Sequence, residues 1–538
     1  MKGKYKKPSM WTINKFCHSP FIIWTSIILS IYITYILRGT RCSRILADNG
    51  YTSQDIDGSF QLAHIYKHGV GANHRRHAVL DINEENIALL SENYQNLLNN
   101  IKYNVDNGDD TDESLWTNNF KYQTDNPFVH EFNLRGRYMV LHRMANRHPD
   151  FVESYLDFAL ESPRMAAKVV LDWVEGGEEV LMPDVRDKDT VISLALMSSN
   201  AYVKLPQTGD WRNISEPWDK SESSGYGWDG DTIRGHVFYN AAKNIVVLSI
   251  KGTSAQGIPG SGEDETTGHD KINDNLLFSC CCARVSYLWT TVCDCYIKSY
   301  TCDEVCLEAS IKSKDHYYKA VMEIYRDILK TYPGANVWTT GHSLGGALAS
   351  LLGRTYGLPT LTFESPGELL ATRRLHLPTP PGLPAYSEGI WHVGHTADPI
   401  FLGTCNGASS TCSIAGYAME TACHSGKTII YDVSHDKGWH VNMLNHRIHT
   451  VIDGILTEYD EVPKAEAQED CVDCFNWNFV PNRESTETKT SSKKSTTTTT
   501  QEKSHKTKTK HQASTSTCIG RNWIGICTDY TQQSHLTN

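Results

Sequence analysis

The run 336-NVWTTGHSLGGALASLLG-353 restricts the folds open to this chain more than any other stretch. Val337 to Thr340 is β-branched and aromatic and reads as a short buried strand, while Leu344 to Tyr356 has the apolar spacing and alanine content of a helix. Between them stands Ser343, flanked by Gly341 and Gly345. A serine held on a strand-to-helix turn needs glycine on both sides, because the tight turn leaves no room for side chains there. The bare pattern G-x-S-x-G also fits a helix start capped by small residues, with no chemistry attached. The neighbouring segments separate these readings: 245-IVVLSI-250 is a strand run, 315-DHYYKAVMEIYRDILKTYP-333 has helical periodicity, and 359-PTLTFESPG-367 is the next strand with its exit turn. Strand, helix and strand in succession imply an α/β fold with a parallel sheet and right-handed crossovers. In that setting Ser343 is expected to be a nucleophile. The helix N-terminus beneath it offers free N–H groups and positive dipole to a developing oxyanion.

Serine is a weak nucleophile at its own pKa, so a histidine must take its proton and a carboxylate must orient that histidine. On such sheets the chain order is Ser, acid, His. Asp398, in 391-WHVGHTADPI-400, follows a strand-like run and so belongs at a strand's C-terminal end, where open α/β sheets hold their ligands. Asp432 and Asp436 lie further on in less regular sequence. His424, His435, His440, His446 and His449 all follow Asp398, and spacing alone leaves the choice among them open. Oxyanion donors are expected from the Leu344 N–H and from the loop 251-KGTSA-255 after an earlier strand. This chemistry calls for no metal and no cofactor.

The ends of the chain bear on its compartment. Residues 20–37, PFIIWTSIILSIYITYIL, carry no charge and are just long enough to cross a bilayer core as a helix. Five lysines precede the run and three arginines follow it, a bias that favours a cytosolic segment 1–19, a signal anchor at 20–37 and a lumenal body. Sixteen cysteines, including Cys280, Cys281 and Cys282 in a row, have no interleaved histidine of zinc-ligand spacing and read as disulfides of an oxidising compartment. Cys471-x-x-Cys474 has no second such pair to complete a zinc site and reads as structural disulfide chemistry. Asn213 stands in the chain's one N-x-S/T sequon and is the expected glycosylation site. The globular body spans 45–475, with an insertion at 256–312. Residues 483–517 are too poor in apolar side chains to order and read as a disordered tail. Residues 518–538 return to Cys and Trp and form a small segment of undefined use. Of the net charge of −11, residues 483–516 contribute eight Lys/Arg against three Glu, which leaves −16 elsewhere and argues against a nucleic-acid partner.

The stretch from 317-YYKAVMEIYRDILKTYPGANVWTTGHSLGGALASLLG-353 through 361-LTFESPGE-368 resembles the class 3, triacylglycerol-type lipases of the α/β-hydrolase fold. More narrowly, with the apolar N-terminal run, the cysteine-rich insertion, 391-WHVGHTADPI-400, 471-CVDCFNW-477 and the Ser/Thr-rich tail, the chain is similar to the fungal autophagy-related vacuolar lipases. The likeness is specific at the serine turn and loose before residue 190. It implies a serine esterase or phospholipase acting on membrane lipid. It further implies a single-pass type II membrane glycoprotein that travels from ER and Golgi through endosomes and multivesicular bodies to the vacuole lumen, where it degrades the membranes of arriving vesicles. The resemblance favours His446, whose surroundings NHRIHTVIDGIL match the histidine leading into the last helix. It also favours Thr253 as the donor in 251–255, with Ser254 behind it, and implies that part of 256–312 gates the site or is a disulfide-pinned loop. Two other functions fit the residues alone: a lumenal serine hydrolase of soluble esters or thioesters, and a non-catalytic anchored glycoprotein.

Overall fold

A computed structural model of the chain describes residues 52–106, 126–203, 212–213, 232–253, 267–284, 291–311, 316–384, 387–407, 410–481, 516–521 and 527–532. Among these residues one mixed sheet of nine strands dominates. Its strands are β1 (Gln61–Gly69), β2 (His77–Asp81), β3 (Arg212–Asn213), β4 (Thr232–Asn240), β5 (Ile245–Ile250), β6 (Asn336–His342), β7 (Thr360–Phe363), β8 (Ile390–His395) and β9 (Lys427–Tyr431). Across the sheet they run β9-β8-β7-β6-β5-β4-β1-β2-β3. Strands β5 to β9 are parallel to one another. The parallel sheet read from the sequence is therefore its second half; β4, β1, β2 and β3 join antiparallel.

Helices cover both faces, as strands buried on two sides require. In β5 every residue is buried, and its side chains alternate between two cores. Val246, Leu248 and Ile250 pack with α3 (Tyr317–Thr331) and α4 (Leu344–Tyr356), whereas Ile245 and Val247 pack with α1 (Lys188–Asn200) and α5 (Ile448–Val451). Helix α3 buries Tyr317, Val321, Ile324, Tyr325 and Ile328, an i, i+4, i+7, i+8, i+11 stripe, and leaves its lysines at the surface. Helix α4 lies close against the sheet through small residues. A methyl group on Gly353 would stand 2.1 Å from Thr360 Oγ1, and Gly357 ends the helix in the left-handed conformation at φ 66°.

The insertion after residue 256 is not a detached loop. Its helix α2 (Thr267–Phe278) sends Leu276, Leu277 and Phe278 into the core shared with α3 and α4. The segment that follows is stapled by Cys281–Cys302, Cys282–Cys293 and Cys295–Cys306, and is tied to the C-terminal end of the body by Cys280–Cys474. Cys471 pairs with Cys423, so the two cysteines of C-x-x-C do not pair with each other but staple two different segments. Cys405–Cys412 closes a short loop near the site described below.

In a second unit after Arg483, the described segments 516–521 and 527–532 pair as antiparallel strands. The apolar run 20–37, Ser254 and residues 482–515 of the tail lie outside the described residues. Among the described residues no helix is long and apolar enough to cross a membrane. Asn213 sits on β3, the strand at the sheet's edge, paired opposite Ala78.

Candidate active site

Strand β6 ends at His342, and the chain turns into α4 through a single residue, Ser343, at φ 58° and ψ −132°. A non-glycine residue rarely adopts this conformation, which costs about 1–3 kcal/mol and is held only by its surroundings. Here the surroundings are glycine. A Cβ on Gly341 would stand 2.5 Å from the Gly345 backbone, and one on Gly345 would stand 2.1 Å from Ile250 O. The Ser343 N–H is fixed by Phe363 O at 3.0 Å, and the side chain, 7% exposed, rises at the C-terminal edge of the sheet.

His446 arrives from far along the chain, in a 3₁₀ turn, Met443–His446, just before α5. Its Nε2 lies 2.8 Å from Ser343 Oγ and its Nδ1 lies 2.8 Å from Asp398 Oδ2. Because a carboxylate only accepts, Nδ1 carries the proton and Nε2 is left to accept from the serine hydroxyl. Asp398 follows β8 and is fully buried, and its Oδ1 accepts the Ile400 N–H at 2.8 Å. Burial opposes the charge of Asp398, but the His446 imidazole outweighs it and holds the carboxyl well below the usual range.

The other candidates stand elsewhere. His435 forms an exposed pair with Asp436 at 2.9 Å, and Asp432 accepts the His435 N–H as the cap of a short turn. His424 donates Nε2–H to Ser365 O at 2.9 Å, and His440 is exposed. His449 is half-buried, and the desolvation of its ring pushes its pKa down to about 3.

Two histidines that the sequence reading did not single out brace the turn that carries His446. His342 donates from Nε2 to His446 O at 2.7 Å and accepts from Tyr202 OH at Nδ1, 2.9 Å away; burial, then His446, pushes its pKa down to about 3, so the ring is neutral. His395 donates from Nε2 to Asn445 O at 2.9 Å. The loop carrying His446 is therefore pinned at two successive carbonyls. His342 lay inside the recognised motif, but its partner is 104 residues away and leaves no local trace.

On the other side of the serine, β5 runs into Lys251, Gly252 and Thr253. This stretch abuts the elbow so closely that a Cβ on Gly252 would stand 2.3 Å from His342 O. The Leu344 N–H opens α4 and has no intrahelical acceptor. Thr253 Oγ1 lies 2.6 Å from Oδ2 of Asp274, a residue of α2 missed by sequence reasoning. Burial, with some help from Asp270, raises the Asp274 pKa to about 8, so at neutral pH it is a carboxylic acid.

Among the described residues, the cysteine-free group that could hold a cation is Glu368, His392 and His424, whose donor atoms lie within 4.8 Å of one another. Their hydrogen bonds already form a network. Glu368 Oε1 accepts from Ser350 Oγ at 2.7 Å and from the Ser425 N–H at 3.1 Å, and His392 Nδ1 meets the Thr362 and Ser365 hydroxyls at 2.8 and 2.9 Å. Against its burial, the two imidazoles keep Glu368 ionised.

A serine on a strand-to-helix elbow, in line with an imidazole and a buried carboxylate at the C-terminal edge of a mixed sheet, defines a site of the α/β-hydrolase type. The family profile described as Lipase (class 3) matches residues 271–357, from within α2 to the end of α4. Proteins named "Putative lipase ATG15" match nearly the whole chain. That of Vanderwaltozyma polyspora is 61% identical and covers 91% of each chain, and that of Saccharomyces cerevisiae strain S288c is 56% identical over 90% of this chain and 91% of its own. The chain belongs to the class 3 lipase family. Within it, the chain falls in the group of fungal autophagy-related lipases that these relatives represent. An overlay on the Lip2 lipase of Yarrowia lipolytica, 16% identical, covers 37% of this chain and 62% of that one at a TM-score of 0.19, so the fold is read from the sheet itself.

Proposed function

We propose that this protein is a serine esterase that hydrolyses the acyl esters of membrane phospholipids in the lumen of the vacuole. Ser343 is the nucleophile, His446 the general base and then acid, and Asp398 the orienting carboxylate. The observation that carries the reading is the continuous line from Ser343 Oγ through both ring nitrogens of His446 to Asp398, with both contacts at 2.8 Å. In the first half-reaction Ser343 Oγ attacks the ester carbonyl as its proton passes to His446 Nε2. Asp398 stabilises the imidazolium so formed. The oxyanion is met by the Leu344 N–H and by Thr253, through its N–H and its hydroxyl. Collapse expels the alcohol, which takes the proton from His446, and leaves an acyl-serine. Water deprotonated by His446 then releases the fatty acid.

Residues 20–37 would anchor the chain, 45–475 would be the lumenal catalytic body and Asn213 would carry a glycan. The expected route runs through endosomes and multivesicular bodies to the vacuole, where the substrate would be the membrane of delivered vesicles. Purified lumenal protein is to be incubated with phosphatidylcholine and phosphatidylserine vesicles, with triacylglycerol emulsion and with a soluble short-chain ester. Fatty acid release from vesicles, lost in Ser343→Ala, is expected. Turnover of the soluble ester alone would replace the lipid reading by that of a soluble-ester hydrolase, and no turnover at all would reject the enzyme.

A further inference from the structure

Strand β7 lies between the strand that carries the nucleophile and the strand that leads to the acid. The residue that leaves it, Glu364, is oddly placed in three respects. Its backbone is left-handed at φ 45°, a conformation that disfavours non-glycine residues, and is locked by a bond from its N–H to Val393 O at 2.8 Å. Its side chain is 1% exposed, and neither carboxyl oxygen has a well-formed hydrogen bond to any described residue. The charge it faces is Asp398, itself negative.

A buried carboxyl must be paired or protonated. Among the described residues the ion-pair contact to Glu364 is that of His395, whose Nε2 is 3.7 Å from Glu364 Oε1. That imidazole is fully committed: Nε2–H goes to Asn445 O at 2.9 Å, and Nδ1 accepts the Ala397 N–H at 3.1 Å. Accepting at Nδ1 and donating at Nε2 is the neutral tautomer, and burial lowers the pKa of His395, so it supplies no countercharge. Beyond Asp398 stands His446, and on the elbow side His342 is neutral. No lysine or arginine among the described residues pairs with Glu364. The His395 main chain offsets little of the burial, and burial and Asp398 together raise the Glu364 pKa well above its usual value. Two carboxyls in one dry site share a single negative charge, which the His446 contact assigns to Asp398.

Building on the triad reading above, we infer that Glu364 is a positioning residue for the reaction, a neutral carboxylic acid whose O–H is directed at the Asp398 carboxylate and holds it in line with His446. Asp398 then has three donors, the Ile400 N–H, His446 Nδ1–H and the Glu364 O–H. When Glu364 loses its proton, this donor becomes a second carboxylate beside Asp398, and the orientation of the base is lost. Glu364 thereby sets the alkaline limit of activity and leaves the acid side of the profile to the base.

The test measures kcat and KM of the lumenal protein on a soluble short-chain ester from about pH 4 to about pH 10, for wild type, Glu364→Leu, Glu364→Gln and Ser343→Ala. Glu364→Leu removes the donor and is expected to lower kcat about 10- to 100-fold with KM unchanged, the size of effect a misplaced catalytic group produces. The amide of Glu364→Gln donates at every pH. It is expected to recover most of the loss and to move the alkaline limb upward by about one pH unit or more. A purely structural role would change both variants through stability and leave the shape of the profile unmoved. An alkaline limb in Glu364→Gln that coincides with wild type overturns the inference, as does wild-type kcat in Glu364→Leu. If Glu364→Leu does not fold, the Glu364→Gln profile alone decides. Wild-type hydrolysis that persists in Ser343→Ala rejects the triad reading itself, a result separable from either of these.

Discussion

Replacing Asp398 by Asn tests the orientation of the base with one atom changed. Asp398 uses both oxygens, Oδ2 toward His446 Nδ1 and Oδ1 toward the Ile400 N–H, each at 2.8 Å. An asparagine has one acceptor oxygen. If that oxygen serves Ile400, the amide N–H faces His446 Nδ1, which must then accept; the imidazole proton moves to Nε2, where it points at Ser343 Oγ and removes the base. If the amide flips, its N–H meets the Ile400 N–H at a distance meant for a hydrogen bond, and two donors oppose each other. The first arrangement loses the productive tautomer, and the second retains it only with two donors opposed in a buried site that no longer holds the side chain in line. The analogous loss in a serine triad costs about 10⁴-fold in kcat, or about 5 kcal/mol at 1.36 kcal/mol per tenfold. The assay is steady-state hydrolysis of a soluble ester, with fluorophosphonate labelling rates as a second measure and KM expected to stay unchanged. The same variant carries a stability signature. The native Asp398 carboxyl sits below its ordinary value near ~3.9, so its contribution is fully present above about pH 4 and is lost as pH falls through the native value. Wild type should therefore exceed Asp398→Asn in Tm at neutral pH, with the gap closing in strong acid. Turnover by a folded Asp398→Asn within tenfold of wild type would refute the assignment of Asp398.

Thr253→Ala removes the oxyanion hydroxyl but keeps the backbone N–H, and should lower kcat about 10²-fold with little change in KM. Gly345→Ala places a methyl 2.1 Å from Ile250 O, against backbone that cannot yield, so it should destabilise by about 3 kcal/mol or more or fail to fold, as thermal melting or soluble yield will show. Asp274, raised to about 8, penalises the native state increasingly as pH climbs from the ordinary aspartate range to about 8. Asp274→Asn should therefore gain Tm relative to wild type over that interval and show no comparable gain below about pH 4, while the altered Thr253 contact lowers kcat.

Legibility in the sequence followed the range of the interaction. The run IVVLSI, the α3 periodicity and the glycines around Ser343 are local signals, and each appears in the structure as strand, helix and elbow. Asp398 could be placed at a strand's end because the run before it reads locally as a strand. His446 could not be separated from its four rivals by spacing, and needed the resemblance, because the 3₁₀ turn that presents it is held by His342 and His395 from distant strands. The antiparallel half of the sheet was missed since QLAHIYKHG mixes apolar with charged and imidazole side chains, and its pairing with β4 joins residues far apart in the chain. Asp274 lies in the insertion 256–312, where the sequence signals no helix, and Glu364 lies in the exit turn of the 359–367 strand. Only burial beside Thr253 and beside Asp398 gives them a role, and burial of that kind is a property of the folded chain.

The central claim is that acyl transfer passes through Ser343, and the direct measurement is the intact mass of the lumenal protein after reaction with a fluorophosphonate, followed by peptide mapping. One phosphonyl group per chain is expected, on the peptide containing Ser343, formed in wild type and absent in Ser343→Ala. Adduct formation should be strongly slowed in His446→Ala although the serine remains. Labelling at another residue, or undiminished labelling of Ser343→Ala, would contradict the account.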